Sequence, residues 1–190
     1  MLKAGEAAQK KRALRLPVEF DALVRECMEL ARTRHHLQSG DLEYRESISS
    51  SLPSPSSSPN GSAACVLGDP EELRTAVSNL LDNAVKYSPD GVHISVELEA
   101  PGEERLVLRV RDTGVGIPQQ ELKRIFKRFY RVTQRSLSQA KGTGLGLFIV
   151  RSIARKHGGR VFAESEGTGK GTTVTLELPR KELPRKVTVA

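Results

Sequence analysis

The chain has 190 residues, 37% apolar and 28% charged, which is enough for one domain with a real core and too apolar for a disordered polyampholyte. No stretch approaches the roughly 18 consecutive apolar residues of a spanning helix, the first fifteen residues hold no apolar run of signal-peptide type, and Cys27 and Cys65 stand far apart without metal-ligand spacing. These features predict a soluble, cytosolic protein without a disulfide framework or zinc site, and the net charge of +7 predicts an anionic partner.

Residues 1–16 read as the exit of an upstream helical element. Pro17 then precedes a run from Val18 to His36 in which Phe20, Leu23, Val24, Cys27, Met28, Leu30 and Ala31 recur at helical spacing, so a helix is predicted there. From Ser47 to Ser62 the sequence SISSSLPSPSSSPNGS cannot bury enough apolar area to offset its ordering entropy, and a flexible loop is expected. Cys65 to Gly68 is strand-like and ends at a marked helix start. Asp69 can cap, Pro70 suits the first helical position, and Glu72 stands where a capping box requires it. That helix is predicted to run to about Tyr87. On a helical wheel Leu73, Val77, Leu80, Leu81 and Ala84 form a core face, while Asn79, Asn83, Lys86 and Tyr87 form a polar stripe on roughly the opposite side.

Ser88-Pro89-Asp90-Gly91 reads as a turn. After it Ile94, Val96 and Leu98 alternate with His93, Ser95 and Glu97, as Leu106, Leu108 and Val110 alternate with Val107, Arg109 and Arg111, and further strands are predicted over Arg160–Glu166 and Thr173–Leu178. Alternation rather than continuous apolar runs implies a sheet covered on one face. The expected fold class is therefore α/β, a two-layer sandwich of a mixed sheet with helices on one face, and not a doubly wound parallel sheet.

Three glycine clusters remain. Asp112-Thr113-Gly114-Val115-Gly116 follows a strand but runs into Ile117-Pro118, so the dinucleotide fingerprint is not met. Gly169-Lys170-Gly171-Thr172 lacks the Ser or Thr directly after Lys that a P-loop needs. Gly142-Thr143-Gly144-Leu145-Gly146 leads into an apolar helix from Leu147 that Gly158-Gly159 stops, and glycines before a helix N-terminus let backbone N–H groups approach an anion. Between these clusters lie Lys123, Arg124, Lys127, Arg128, Arg131, Arg135 and Lys141 against the single acid Glu121. Leu122, Ile125, Phe126 and Phe129 make a short helix within that segment amphipathic. The chain has no Trp, three Tyr and five Phe and no nucleic-acid motif, so base-stacking recognition of nucleic acid is not expected. A cationic flap between glycine hinges, beside an anion-ready helix terminus, suits a lid over polyphosphate.

In this order and spacing the residues resemble the GHKL ATP-binding domains, and among them the catalytic domain of bacterial sensor histidine kinases. NLLDNAVKYS (Asn79 to Ser88) is similar to the N box, DTGVGIP (Asp112 to Pro118) to the G1 box, IFKRFYR (Ile125 to Arg131) to the F box and GTGLGLFIV (Gly142 to Val150) to the G2 box. The resemblance implies a Bergerat-type ATP-binding fold with ATP and Mg²⁺ as cofactors. It implies Asn83 as the Mg²⁺ ligand through its amide oxygen, Asn79 beside the metal or its waters, and Lys86 as a point charge on the phosphates. Tyr87 would pack on the nucleotide, and Asp112 would accept from the adenine exocyclic amine. Gly114, Gly116 and Ile117 would border the base, and Gly142, Thr143, Gly144, Leu145, Gly146 and Leu147 would wrap the phosphates. Arg131 and Arg128 would come from the lid, with Phe129, toward the γ-phosphate. Thr172 would supply a hydroxyl near the base.

The same resemblance divides the chain into residues 1–16, the end of an upstream acceptor helix and linker, residues 17–179, the ATP-binding catalytic domain with a loop at 47–62 and a lid at 117–141, and a polar tail at 180–190. The family's acceptor histidine lies upstream in a His-Glu or His-Asp context, and no histidine here has an acid directly after it. The implied partners are therefore the acceptor domain of the parent kinase, normally a homodimer, and a downstream response regulator. The catalytic fragment itself would be cytoplasmic, with no nucleic acid and no membrane segment of its own. Two other readings carry weight, a GHKL ATPase clamp and an ATP-binding anti-sigma-like regulator. The clamps place a Glu where Asn79 stands, and an amide has no basic oxygen to activate water.

Overall fold

The computed structural model describes residues 15–48, 64–89, 91–132 and 142–181. Most of the expected Ser/Pro loop, of the upstream segment and of the polar tail, and the distal part of the lid, lie outside these residues, while Ser47, expected to open the loop, ends a strand and Arg180 and Lys181 are tied by their N–H groups to the Glu104 and Cys65 carbonyls. In chain order the elements are β1 (Leu16–Glu19), α1 (Phe20–His35), β2 (Leu42–Ser47), β3 (Cys65–Gly68), α2 (Pro70–Lys86), β4 (Ile94–Glu99), β5 (Arg105–Asp112), α3 (Gly146–Lys156), β6 (Arg160–Glu164) and β7 (Thr172–Pro179). Among the described residues no helix is long and apolar enough to cross a membrane.

Five strands form one sheet in the order β2-β4-β5-β7-β6, and β1 pairs antiparallel with β3 in a separate ribbon. The sheet is mixed, because β2 runs parallel to β4 while the other neighbours are antiparallel. Ile94, Val96 and Leu98, Leu106, Leu108 and Val110, and Val174, Leu176 and Leu178 are buried in one cluster with Phe20, Leu73, Leu80, Leu81 and Val150 from the helices. The intervening positions face away and carry polar side chains such as Ser95, Glu97 and Arg109. The expected two-layer sandwich with helices on one face is therefore the observed fold.

Several local expectations are corrected by tertiary partners. Val18 does not open α1, because Leu16 to Glu19 pair with Cys65 to Gly68 and the helix begins at Phe20. Strand β2 was not foreseen. Its Leu42 and Tyr44 alternate with charged residues, but its sheet partner among the described residues lies some fifty positions downstream, where Leu42 registers with Ile94. At α2 the Asp69 carboxylate accepts from the N–H groups of Glu71 and Glu72, as a cap should. The capping box is not completed, however. Glu72 reaches Lys156, and the Asp69 N–H donates instead to Nε2 of His157 at 3.0 Å. Since Nε2 accepts there, the Nδ1–H of His157 donates to the Ile153 carbonyl at 2.8 Å. This neutral, buried imidazole ties the C-terminal end of α3 to the start of α2.

The lid differs too. Residues 119–129 form consecutive turns, with Arg124 N–H donating to the Glu121 carbonyl and Lys127 N–H to that of Arg124, rather than an α-helix. Ile125 and Phe126 enter the core, whereas Phe129 is 61% exposed with φ of 60°. An amphipathic helix would have placed Phe129 beside Ile125. The tight turns direct it outward, where Arg128 stacks on its ring at 4.7 Å.

Candidate functional site

The second half of α2, the end of β5, the start of the lid and the entry to α3 surround one cavity of about 240 Å³. Leu80 and Ala84 provide part of its apolar lining and Asn79, Asn83, Lys86 and Tyr87 line it as well. The two stripes of α2 are thus adjacent around this cavity and not on opposite sides. Lys86 Nζ sits 4.8 Å from the centre of the Tyr87 ring, so its charge stays at the cavity wall.

Asp112 ends β5 and is 6% exposed. Its Oδ1 accepts from the N–H of Gly114 at 2.9 Å and from that of Thr172 at 3.2 Å. Burial pushes its carboxyl up from the ordinary value of 3.8 to about 6, because desolvation outweighs the pull of the two backbone donors in the other direction. The clamp needs Gly171, which has φ of +69° and whose Cβ, if present, would stand 2.1 Å from the Asp112 carbonyl oxygen.

At the other side α3 begins without a side-chain cap and without an acidic residue in its first turn. Its free N–H groups and the positive end of its dipole are thus available to an anion. Gly146 brings this terminus against α2, where a Cβ would come 2.9 Å from Asn79 Oδ1 and 3.4 Å from Asn83 Nδ2. A cationic and N–H-rich region therefore faces an apolar region that closes on a buried carboxylate.

Of the residues expected from sequence, Asn79, Asn83, Lys86, Tyr87, Asp112, Gly116 and Ile117 line the cavity. Arg131, Gly142, Thr143, Gly144, Gly146, Leu147 and Thr172 line it too. Gly114, Arg128, Phe129 and Leu145 do not. Gly114 is packed under the end of α2, a Cβ there meeting the Tyr87 carbonyl oxygen at 2.0 Å. Arg128 and Phe129 turn to solvent, and Leu145 is the N-cap residue of α3. The sequence reading missed Val115, Tyr130 and Val132, which also line the cavity. Tyr130 stands directly after Phe129 in the aromatic pair of IFKRFYR, and the left-handed backbone at Phe129 is what turns the neighbouring residue inward. Tyr130 is held by a hydrogen bond to Glu121 and by Arg124 stacked at 4.7 Å.

Comparison with known proteins bears on the family and the fold. Residues 68–182 match the family model described as histidine kinase-, DNA gyrase B-, and HSP90-like ATPase. The chain is 41% identical over 115 residues to the sensor histidine kinase WalK of Bacillus subtilis (strain 168), covering 60% of this chain and 19% of WalK. It is also 41% identical over 123 residues to the probable sensor kinase SilS of Salmonella typhimurium, covering 65% of this chain and 24% of SilS. The aligned part is thus no more than about a quarter of either relative's length. Among solved structures, the mycobacterial sensor histidine kinase MprB superposes with a TM-score of 0.69 at 30% identity, covering 89% of this chain and 99% of that one. Full-length ShkA in complex with AMPPNP superposes with a TM-score of 0.65 at 27% identity over 90% of this chain and 32% of that one. A mixed sheet under three helices, a cavity with a buried carboxylate at one end and a bare helix terminus at the other, and a family match over residues 68–182 lead to one conclusion: this chain belongs to the histidine kinase-, DNA gyrase B- and HSP90-like ATPase family.

Proposed function

We propose that this chain binds Mg-ATP and passes the γ-phosphate to a histidine on a separate acceptor domain, as the catalytic domain of a two-component sensor histidine kinase. The observation that carries this reading is the convergence on one cavity of the buried Asp112 carboxylate with Asn79, Asn83, Lys86 and the uncapped start of α3. Asp112 accepts from the exocyclic amine of adenine through Oδ2, since the backbone clamp uses Oδ1. Guanine presents a carbonyl at that position and would meet the carboxylate acceptor to acceptor, so the same contact selects the base.

Lys86 and the N–H groups at the start of α3 hold the phosphates, and Arg131 from the lid neutralises the one being transferred. The donor set suits Mg²⁺, because the Asn83 amide beside Gly146 offers a hard oxygen next to the phosphate end. When bound, the ion would neutralise phosphate charge. Asn79, one turn before Asn83 on α2, would face the ion or its waters, and its Nδ2 donates to the Thr75 carbonyl at 2.8 Å. Asn79 is an amide without a basic oxygen, which favours transfer to a partner's imidazole over activation of water for hydrolysis. Tyr87, Gly116, Ile117 and Thr172 enclose the base. Arg128 and Phe129 lie outside the cavity lining and would take part only through movement of the lid, while Gly114 and Leu145 act through backbone placement.

The domain is assigned to residues 17–179, with residues 1–16 leading from the acceptor helix; this catalytic part works in the cytoplasm upstream of a response regulator, within a homodimeric parent kinase that a membrane anchor elsewhere in its chain can hold. The test is incubation with labelled ATP, with and without an acceptor-domain fragment of a related kinase. Acid-labile, base-stable label on the fragment and none on this chain is the expected result. Rapid phosphate release without an acceptor would favour the ATPase clamp, and nucleotide binding with neither transfer nor release would favour the anti-sigma-like regulator.

A further inference from the structure

Two loops meet behind Asp112, one spanning Asp112–Ile117 and the other Ser165–Thr172. They are joined by a ladder in which the Gly169 N–H donates to the Val115 carbonyl at 2.7 Å and the Gly171 N–H to the Gly114 carbonyl at 3.1 Å. The Thr172 N–H donates to Asp112 Oδ1, and the Ile117 N–H donates to Oγ of Ser165 at 3.0 Å. Ser165 supplies the side-chain rung of this ladder. Its hydroxyl donates to the Gly171 carbonyl at 2.6 Å, while its oxygen also receives the Gly167 N–H at 3.3 Å. A hydroxyl has one donor and two acceptor sites, and here all three are used on backbone groups of both loops.

The second loop lies largely at the surface and is rich in glycine. Gly167, Gly169 and Gly171 all have positive φ, and residues 168–170 are exposed. Its shape therefore depends on hydrogen bonds more than on packed side chains. Gly171, which Ser165 holds by its carbonyl, is bonded directly to Thr172, whose N–H holds Asp112. Ile117, which Ser165 holds by its N–H, lines the cavity.

We propose that Ser165 is a positioning residue for base selection, the hydroxyl that locks the two loops together so that Asp112 presents its carboxylate to adenine. The inference rests on the ATP-binding reading above and names a residue that touches no nucleotide. Removing the hydroxyl leaves the Ile117 N–H and the Gly171 carbonyl without this partner in a part-buried setting, and the expected loss in ATP affinity is about five- to tenfold. Because the defect falls on the carboxylate that tells adenine from guanine, preference for ATP over GTP should narrow together with affinity.

The experiment compares wild type, S165A, S165V, S165T and N83A in the full chain. Calorimetry with Mg-ATP and Mg-GTP is combined with amide hydrogen exchange of Ile117 in the nucleotide-free protein. S165A and S165V should lose affinity and preference and speed Ile117 exchange, S165T should restore all three, and N83A should weaken both nucleotides while keeping the preference. Unchanged preference in S165A, or an equal loss for ATP and GTP, overturns the proposal. If the hydroxyl-free variants melt too early to measure, S165T carries the test, and a folded S165T without wild-type preference overturns it. Wild type that binds no ATP would instead bring down the nucleotide reading, and this inference with it.

Discussion

Replacing Asp112 by Asn should stabilise the nucleotide-free protein at neutral pH while weakening ATP binding. The carboxylate is 6% exposed and its folded-state pKa is raised from 3.8 to about 6, chiefly by burial. A group whose folded pKa lies above its unfolded value contributes fully to stability below the unfolded pKa and loses that contribution as pH rises through the folded pKa. Between 3.8 and about 6 the loss amounts to about 3 kcal/mol, complete by pH 7.5 and below about 1 kcal/mol at pH 4. Asn stays neutral throughout, and its oxygen can still accept from Gly114 and Thr172. Urea unfolding at pH 4 and pH 7.5, without nucleotide, should therefore show D112N gaining on wild type by about 2 kcal/mol between the two conditions, within a maximum of about 3. The same titration should make wild-type ATP affinity fall as pH drops through about 6, more steeply than that of D112N. A stability difference that does not change with pH would refute the argument that Asp112 is held at a desolvation cost for the sake of its ligand.

Three further outcomes follow from the geometry. N83A should weaken ATP binding by about tenfold or more in the presence of Mg²⁺ and abolish the gain that Mg²⁺ brings, checked by calorimetry with and without the ion. G146A places a methyl 2.9 Å from Asn79 Oδ1, so it should force the two amides aside and lower ATP affinity several-fold with a melting temperature close to wild type. L81A removes a fully buried side chain that is not part of the cavity lining and should cost about 2–5 kcal/mol in urea unfolding, with ATP affinity changing far less than in N83A under conditions where the protein stays folded.

Where a segment's own pattern settles its state, the sequence and the structure agree. The α2 start was legible because Asp69 and Pro70 carry the local chemistry of a cap, and the strands around Val96, Leu108 and Leu176 because their alternation has one buried face. The four boxes of the candidate site were legible because their order and residue types resemble those of a known ATP-binding family. By contrast β1 and β2 are short, at ribbon or sheet edges, and paired with residues far along the chain. Nothing within four to six residues encodes such pairing.

The sequence by itself determined the fold class and the polar stripe of α2, which depend on periodicity and residue chemistry close in the chain, and through its resemblance to a known family it named candidate nucleotide-binding residues. Only the tertiary structure decided which of them share a cavity, turned Phe129 out and Tyr130 in, gave the Asp69 N–H to His157 instead of to a capping box, and set Ser165 behind Asp112. Those outcomes arise from competition for hydrogen bonds and space between segments tens of residues apart. The winning partner in each is a backbone group or side chain whose proximity exists only after the chain has folded.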